Sequence, residues 1–209
     1  MRSALVSTAA LLALSVMWIV SPATAARREP KFSGVKKCAA CHQKADIGDQ
    51  QGRWLESRHA HAFETLAGED AKKLAMQRGL GDDPRQVAEC LECHTAAQRE
   101  PKNRVARSYK PEEGVSCEAC HGPGSLYRKK KVMLDAEAAR ENGLVDPDEK
   151  VCVRCHNDRS PSWNPSRYTL ADGTQAGFDF LQAAKKIAHP VPEGYDPTTS
   201  QDDGDDDDE

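Results

Sequence analysis

All eight cysteines of this 209-residue chain fall in four copies of one pattern: Cys38-Ala-Ala-Cys41-His42, Cys90-Leu-Glu-Cys93-His94, Cys117-Glu-Ala-Cys120-His121 and Cys152-Val-Arg-Cys155-His156. Two thiols one helical turn apart suit a zinc ribbon, a disulfide couple or a covalently held porphyrin. Zinc and redox chemistry need only the thiol pair and are indifferent to the next residue. Covalent haem attachment needs all three side chains. The thiols add to the two vinyl groups of one porphyrin, and the adjacent imidazole reaches the iron from the same face as a proximal ligand. Four repeats in a chain with only seven histidines are hard to obtain by chance. The expected cofactor is therefore haem c, four per chain, with His42, His94, His121 and His156 as proximal ligands.

Four irons have eight axial positions, and seven histidines cannot fill them. His59, His61 and His189 remain outside the motifs. The stretch Asp49 to Gly68, "DQQGRWLESRHAHAFETLAG", places Trp54, Leu55, Ala62, Phe63 and Leu66 at helical spacing, with Gly68 as a stop. At about 100° per residue, His59 falls roughly 40° from the centre of that apolar stripe and His61 roughly 120° away. His59 is expected to point inward as an iron ligand and His61 outward, with ligation by His61 as the alternative. A second helix, "GFDFLQAAKKIAHPV", buries Phe178, Leu181, Ala184 and Ala188 and is stopped by Pro190. His189 at its end is geometrically fixed, which suits a ligand; capping of the last carbonyls is the alternative.

The remaining elements are expected to be short. Asp83-Pro84 and Asp146-Pro147 each read as an N-cap followed by proline at the first helical position. Asp135 to Asn142 reads as a helix ended by Gly143, and "HGPGS" after His121 as a sharp turn. Nothing alternates long enough to predict a sheet.

The chain opens with Arg2, an apolar run from Ala4 to Val20, and Ala23-Thr24-Ala25. This reads as a secretory signal peptide over residues 1–25, cut near Ala25 or Ala26, with an uncleaved anchor as the alternative. Haem attachment of this kind takes place outside the bacterial cytoplasm, so motif and leader agree on the periplasm. Residues 26–195 form the expected tetrahaem domain, and 196–209, ending "DDGDDDDE", a disordered acidic tail. Charged residues make up 30% of the chain and aromatics 5%, with a mean hydropathy of −0.71. So polar a chain buries little apolar area by itself. Four porphyrins would supply most of the core, and the haem-free chain would fold poorly. The cluster "RKKK", Arg128 to Lys131, could meet an acidic partner or offset haem propionates.

"KKCAACHQ", "WLESRHAHAF", "GVSCEACHGPGS" and "CVRCHN" together resemble the cytochrome c-554 family of tetrahaem cytochromes known from ammonia oxidisers. The resemblance runs from about Val35 to Pro192. It implies a mostly helical fold with haems in stacked pairs, distal ligation by His59 and His189, and one haem without a distal ligand. It also implies exchange of electrons with a partner oxidoreductase such as hydroxylamine oxidoreductase. The family's distal histidine shortly after the third motif is replaced here by "SLYRKKKVML". Met133 and Lys131 are the candidate substitutes; an ordinary apolar contact is the alternative for Met133.

The expected fold is thus mainly α, short helices and loops wrapped around four covalently bound haems with little or no sheet. The expected function is electron transfer between redox partner proteins, without nucleic acid and without a stable membrane span. Two other functions remain open. One is binding or reduction of nitric oxide, nitrite or peroxide at an open iron, for which Arg53, Arg58 and His61 are loose acid–base candidates. The other is a small subunit anchoring a larger multihaem complex.

Overall fold

The computed structural model describes residues 28–196. The expected signal peptide and the acidic run 202–209 lie outside the described residues. Ten short α-helices carry the described chain: α1 (Val35–His42), α2 (Gln50–Leu55), α3 (Ala62–Thr65), α4 (Glu69–Gln77), α5 (Ala88–His94), α6 (Cys117–His121), α7 (Lys130–Met133), α8 (Ala136–Glu141), α9 (Glu149–Cys152) and α10 (Phe180–Ile187). The sheet is one antiparallel pair, Tyr168–Thr169 with Gln175–Ala176. No helix among the described residues is long and apolar enough to cross a membrane.

Four of the ten helices start after an aspartate. Asp49, Asp135, Asp148 and Asp179 each accept from an amide in the first turn of α2, α8, α9 and α10, and Asp83 does so for a 3-10 turn at Pro84–Gln86. Each satisfies a donor that the helix itself cannot pair. The start of α9 differs from expectation: Asp148 caps it, two residues beyond the predicted Asp146. Asp146 is instead paired with Arg140 at 2.7 Å.

The predicted continuous helix from Asp49 to Gly68 is two helices, α2 and α3, with turns at 56–61. A tertiary pairing interrupts it. Val115 N donates to His59 O at 2.9 Å, and Trp54 Nε1 donates to Val115 O at 2.9 Å. Gly114 permits this approach, having φ +67° and a hydrogen where a Cβ would lie 2.6 Å from His59 O. Leu55, expected inside, is 48% exposed because the helix stops there. Gly68 opens α4 instead of closing a helix; α4 was not anticipated, although Glu69 and Asp70 in its first turn are a start signal.

The apolar core made by side chains alone is small. Phe32, Ala97 and Tyr109 form it, backed by Ala96 and Val105. It joins the strand-like segment before α1 to the segment between α5 and α6: Phe32 N donates to Arg104 O at 2.8 Å and Ala106 N to Phe32 O at 2.9 Å.

Candidate functional site

Three of the four motif histidines end a helix: His42 on α1, His94 on α5 and His121 on α6. The fourth lies just past α9, where His156 N donates to Cys152 O at 3.0 Å. Each motif therefore winds about one turn, which puts both thiols and the imidazole on one side of it.

The imidazoles are oriented by their Nδ1 atoms. His42 Nδ1 lies 3.2 Å from Gln50 Oε1, His94 Nδ1 2.6 Å from Ala62 O, His121 Nδ1 3.3 Å from Val145 O and His189 Nδ1 2.9 Å from Ile187 O. An Nδ1–H donated to a carbonyl leaves the Nε2 lone pair for a metal, the usual arrangement of a ligating histidine. Burial lowers the pKa of His59, His121 and His156, with the neighbouring His156 adding to the effect on His59 and Arg167 to that on His156. These rings stay neutral at neutral pH.

Two pairs of rings meet edge to face, with interplanar angles of 73° and 83°. His59 and His156 have centroids 6.0 Å apart and His121 and His189 5.9 Å apart. Two imidazoles on opposite sides of one metal would lie about 6 Å apart, from a metal–nitrogen bond of about 2.0 Å and a ring half-width of about 1.1 Å on each side. Phe178 stacks on His156 at 5.5 Å. His61 is different. It is exposed, with Nδ1 3.2 Å from Glu64 and Nε2 3.0 Å from Leu55 O. His59 is half-buried, so the inward–outward contrast between the two stands although the helix used to predict it does not.

The thiols are all free and half-buried, and they meet across motifs. The Cys38 and Cys117 thiols hydrogen-bond, raising Cys38 and lowering Cys117. The Cys155 thiol draws Cys93 down to about 6, helped by Arg99 and Arg159 against burial. Burial pushes Cys120 up to about 11, with Cys152 beside it. Arg154 Nη2 donates to Ala119 O at 2.6 Å, tying the fourth motif to the third. The spatial order of the motifs is first, third, fourth, second. Among the described residues no group of three or more His, Cys, Asp and Glu side chains converges on a metal-sized point.

The first and third motifs are joined by a second device that the sequence did not disclose. Helix α1 begins at Gly34, which has no side chain to cap it. Glu118, between the cysteines of the third motif and 2% exposed, accepts instead from Ser33 N at 2.8 Å, Gly34 N at 2.8 Å and Gly124 N at 2.6 Å. Glu113 accepts from Val35 N at 3.0 Å. Two remote carboxylates thus cap α1, where the helix dipole favours negative charge. After the motif the chain turns at Gly122, with φ +77°, and Val145 N bonds His121 O at 2.9 Å.

A cavity of about 560 Å³ runs along this region, with Cys38, His42, Cys117, His121, His189 and Met133 on its wall. The donor types, their Nδ1 anchoring and the close imidazole pairs fit haem. Of the two candidate substitutes, Met133 is half-buried on this wall and Lys131 is exposed. Helix α10 presents a different face from the one predicted. Asp179 starts it at Phe180, leaving Phe178 outside the helix and against His156, while Leu181 is 77% exposed and Ala188 is exposed too.

Thiol pairs each followed by an imidazole, repeated on short helices around a scant apolar core, define a multihaem c-type cytochrome, a protein that holds haem c covalently. Residues 37–122 match the family described as cytochrome c554 and c-prime. The chain is 33% identical to cytochrome c-554 of Nitrosomonas europaea over 199 residues, spanning 85% of this chain and 81% of that one. It belongs to the cytochrome c-554 family. A stretch of 110 residues, 49% of the chain, is 28% identical to the multihaem cytochrome MtrA of Shewanella baltica and covers 33% of that protein. The solved reduced state of the Nitrosomonas europaea cytochrome c554 aligns with a TM-score of 0.43 at 25% identity, covering 76% of this chain and 79% of that one.

Proposed function

We propose that this chain is a periplasmic tetrahaem electron carrier. Cys38/Cys41, Cys90/Cys93, Cys117/Cys120 and Cys152/Cys155 each hold one haem c, and His42, His94, His121 and His156 are the proximal ligands. His189 is the distal partner of His121, and His59 of His156. Residues 1–25 are the export signal, residues 26–195 the haem domain and 196–209 an acidic tail. Haem iron, when bound, supplies a one-electron couple; the protein fixes its ligands and spacing. The observation that carries this reading is the unbroken contact series of the motifs, first to third to fourth to second, which would place successive haems side by side. Carbonyl oxygens on Nδ1, from the backbone for His94, His121 and His189 and from Gln50 for His42, favour the tautomer that ligates. The partners would be redox proteins, an oxidoreductase of the hydroxylamine oxidoreductase kind among them, a reading supported only by the family resemblance.

Small-molecule binding, of nitric oxide, nitrite or peroxide, is a second reading, and it attaches to His94. His59 and His189 face other motifs and His61 has both nitrogens engaged, so histidine does not fill the other side of that iron.

Intact mass of the exported protein tests the main reading. A chain beginning after Ala25 or Ala26 and carrying four haems that survive acid-acetone is expected. Extractable haem, zinc in place of iron, or fewer than four additions would overturn it.

A further inference from the structure

The histidine supply leaves His42 as well as His94 without an imidazole partner, and the surroundings of His42 are well defined. His42 ends α1 and donates through Nδ1 to Gln50 Oε1, and Gln50 is itself bonded to Ile47 O. Two cavities, of about 560 and about 100 Å³, adjoin at this ring. Cys38, His42, Tyr127 and Met133 are the residues that wall both. Cys38 and His42 belong to the first motif, so Tyr127 and Met133 are the residues from outside it that border both cavities.

The Tyr127 hydroxyl donates to Gly122 O at 2.9 Å, and the residue is 4% exposed, so its oxygen is already used in holding the turn after the third motif. The Met133 thioether carries no such commitment in its chemistry: sulfur is a weak hydrogen-bond acceptor and a good haem ligand. Met133 closes α7, whose backbone is fixed by Met133 N and Val132 N donating to Lys129 O at 2.9 Å. That helix is reached from the third motif through a turn in which Arg128 N bonds Gly124 O at 2.9 Å, while Ser125 N bonds Lys31 O at 3.1 Å. The segment before α1 and the segment carrying Met133 are therefore clamped together. Met76, the other methionine among the described residues, is 57% exposed on α4.

We propose that Met133 is the distal ligand of the iron bound by His42, making the haem of the first motif a His–Met centre within an otherwise imidazole-ligated series. This rests on the tetrahaem reading above. A thioether in place of an imidazole raises the reduction potential. The first motif adjoins the third in the spatial order, so its haem would lie at a higher potential than that bis-histidine neighbour, and an electron on the neighbour would pass to it.

The test uses the full chain, exported and loaded with haem. Oxidised wild type should show the near-infrared charge-transfer band of an iron–thioether bond. Met133→Ala should abolish it, and Met76→Ala should leave it. Met133→His should restore a six-coordinate low-spin iron without the band, and one of the resolved reduction potentials should fall below its wild-type value. This variant also separates loss of a ligand from loss of fold. Absence of the band in wild type, or its survival in Met133→Ala, would overturn the proposal, as would a ligation change in Lys131→Ala. With four haems counted by mass, any of those results refutes only Met133. A lower haem count refutes the tetrahaem reading itself.

Discussion

Glu118→Ala is expected to loosen the joint between the first and third motifs. The carboxylate is 2% exposed and accepts from three backbone amides, those of Ser33, Gly34 and Gly124. Alanine leaves all three buried without a partner, at about 1–3 kcal/mol each. Relief from burying a charge offsets part of that loss, so a net destabilisation of about 2–4 kcal/mol is expected. Glu118→Gln keeps one acceptor oxygen but turns an NH2 group toward amides that also donate, so it should recover only part of the loss. Burial outweighs the three amides and holds the carboxyl above its usual pKa. A raised carboxylate pKa means a contribution fully present below the unfolded-state value and diminished as pH rises through the folded-state one. The penalty of Glu118→Ala should therefore be larger near pH 4 than near pH 8. Guanidinium unfolding of the haem-loaded protein, followed in the Soret region at both pH values, measures this. A loss under about 0.5 kcal/mol, the range of an ordinary surface substitution, would refute the capping argument; a penalty that grows with pH would refute the burial argument.

Two further outcomes concern His59 and its neighbour His61. His59→Ala should convert one low-spin haem to high-spin in the resonance spectrum while His61→Ala leaves the spectrum unchanged, and the opposite result would reverse their roles. Gly114→Ala forces a Cβ to within 2.6 Å of His59 O at φ +67°. It should cost at least about 2 kcal/mol and lower the same low-spin signal without touching any ligand side chain; retention of both would show that the Gly114–His59 approach is not what positions this histidine.

The one-turn winding of the four thiol–imidazole motifs was legible because their spacing is set within five residues. Asp135 and Gly143 were legible for a related reason, since a cap acts on its own helix. The errors arose where distant segments intervened. The periodicity from Asp49 to Gly68 was genuine, yet the chain turns at 56–61 because Val115 claims the carbonyl of His59. Leu55 and Leu181 are exposed for want of a partner face that periodicity cannot supply. Asp148 displaced Asp146 as the cap because both flank Pro147 and local pattern does not rank them. Glu118 was unreadable as a cap: a carboxylate between two motif cysteines carries no mark of the amides 84 and 85 residues away that it holds.

The motif order in space, first–third–fourth–second, has a bearing on manufacture. On the export and tetrahaem reading proposed above, a chain threaded through a channel would deliver its motifs in numerical order. The first would receive its porphyrin well before Glu118 emerges to close α1, and the second would wait for Cys155. Early haems are then carried on unfinished polypeptide, with one face open to water until the downstream half arrives. Long-range closures of this kind are slow, and they favour holding each partly loaded segment on the attachment machinery until its neighbour is ready. A chain cut between Glu100 and Gly114 would keep the first and second motifs and neither of the motifs they touch, so on that reading it should emerge as a substrate for proteases and not as half a cytochrome.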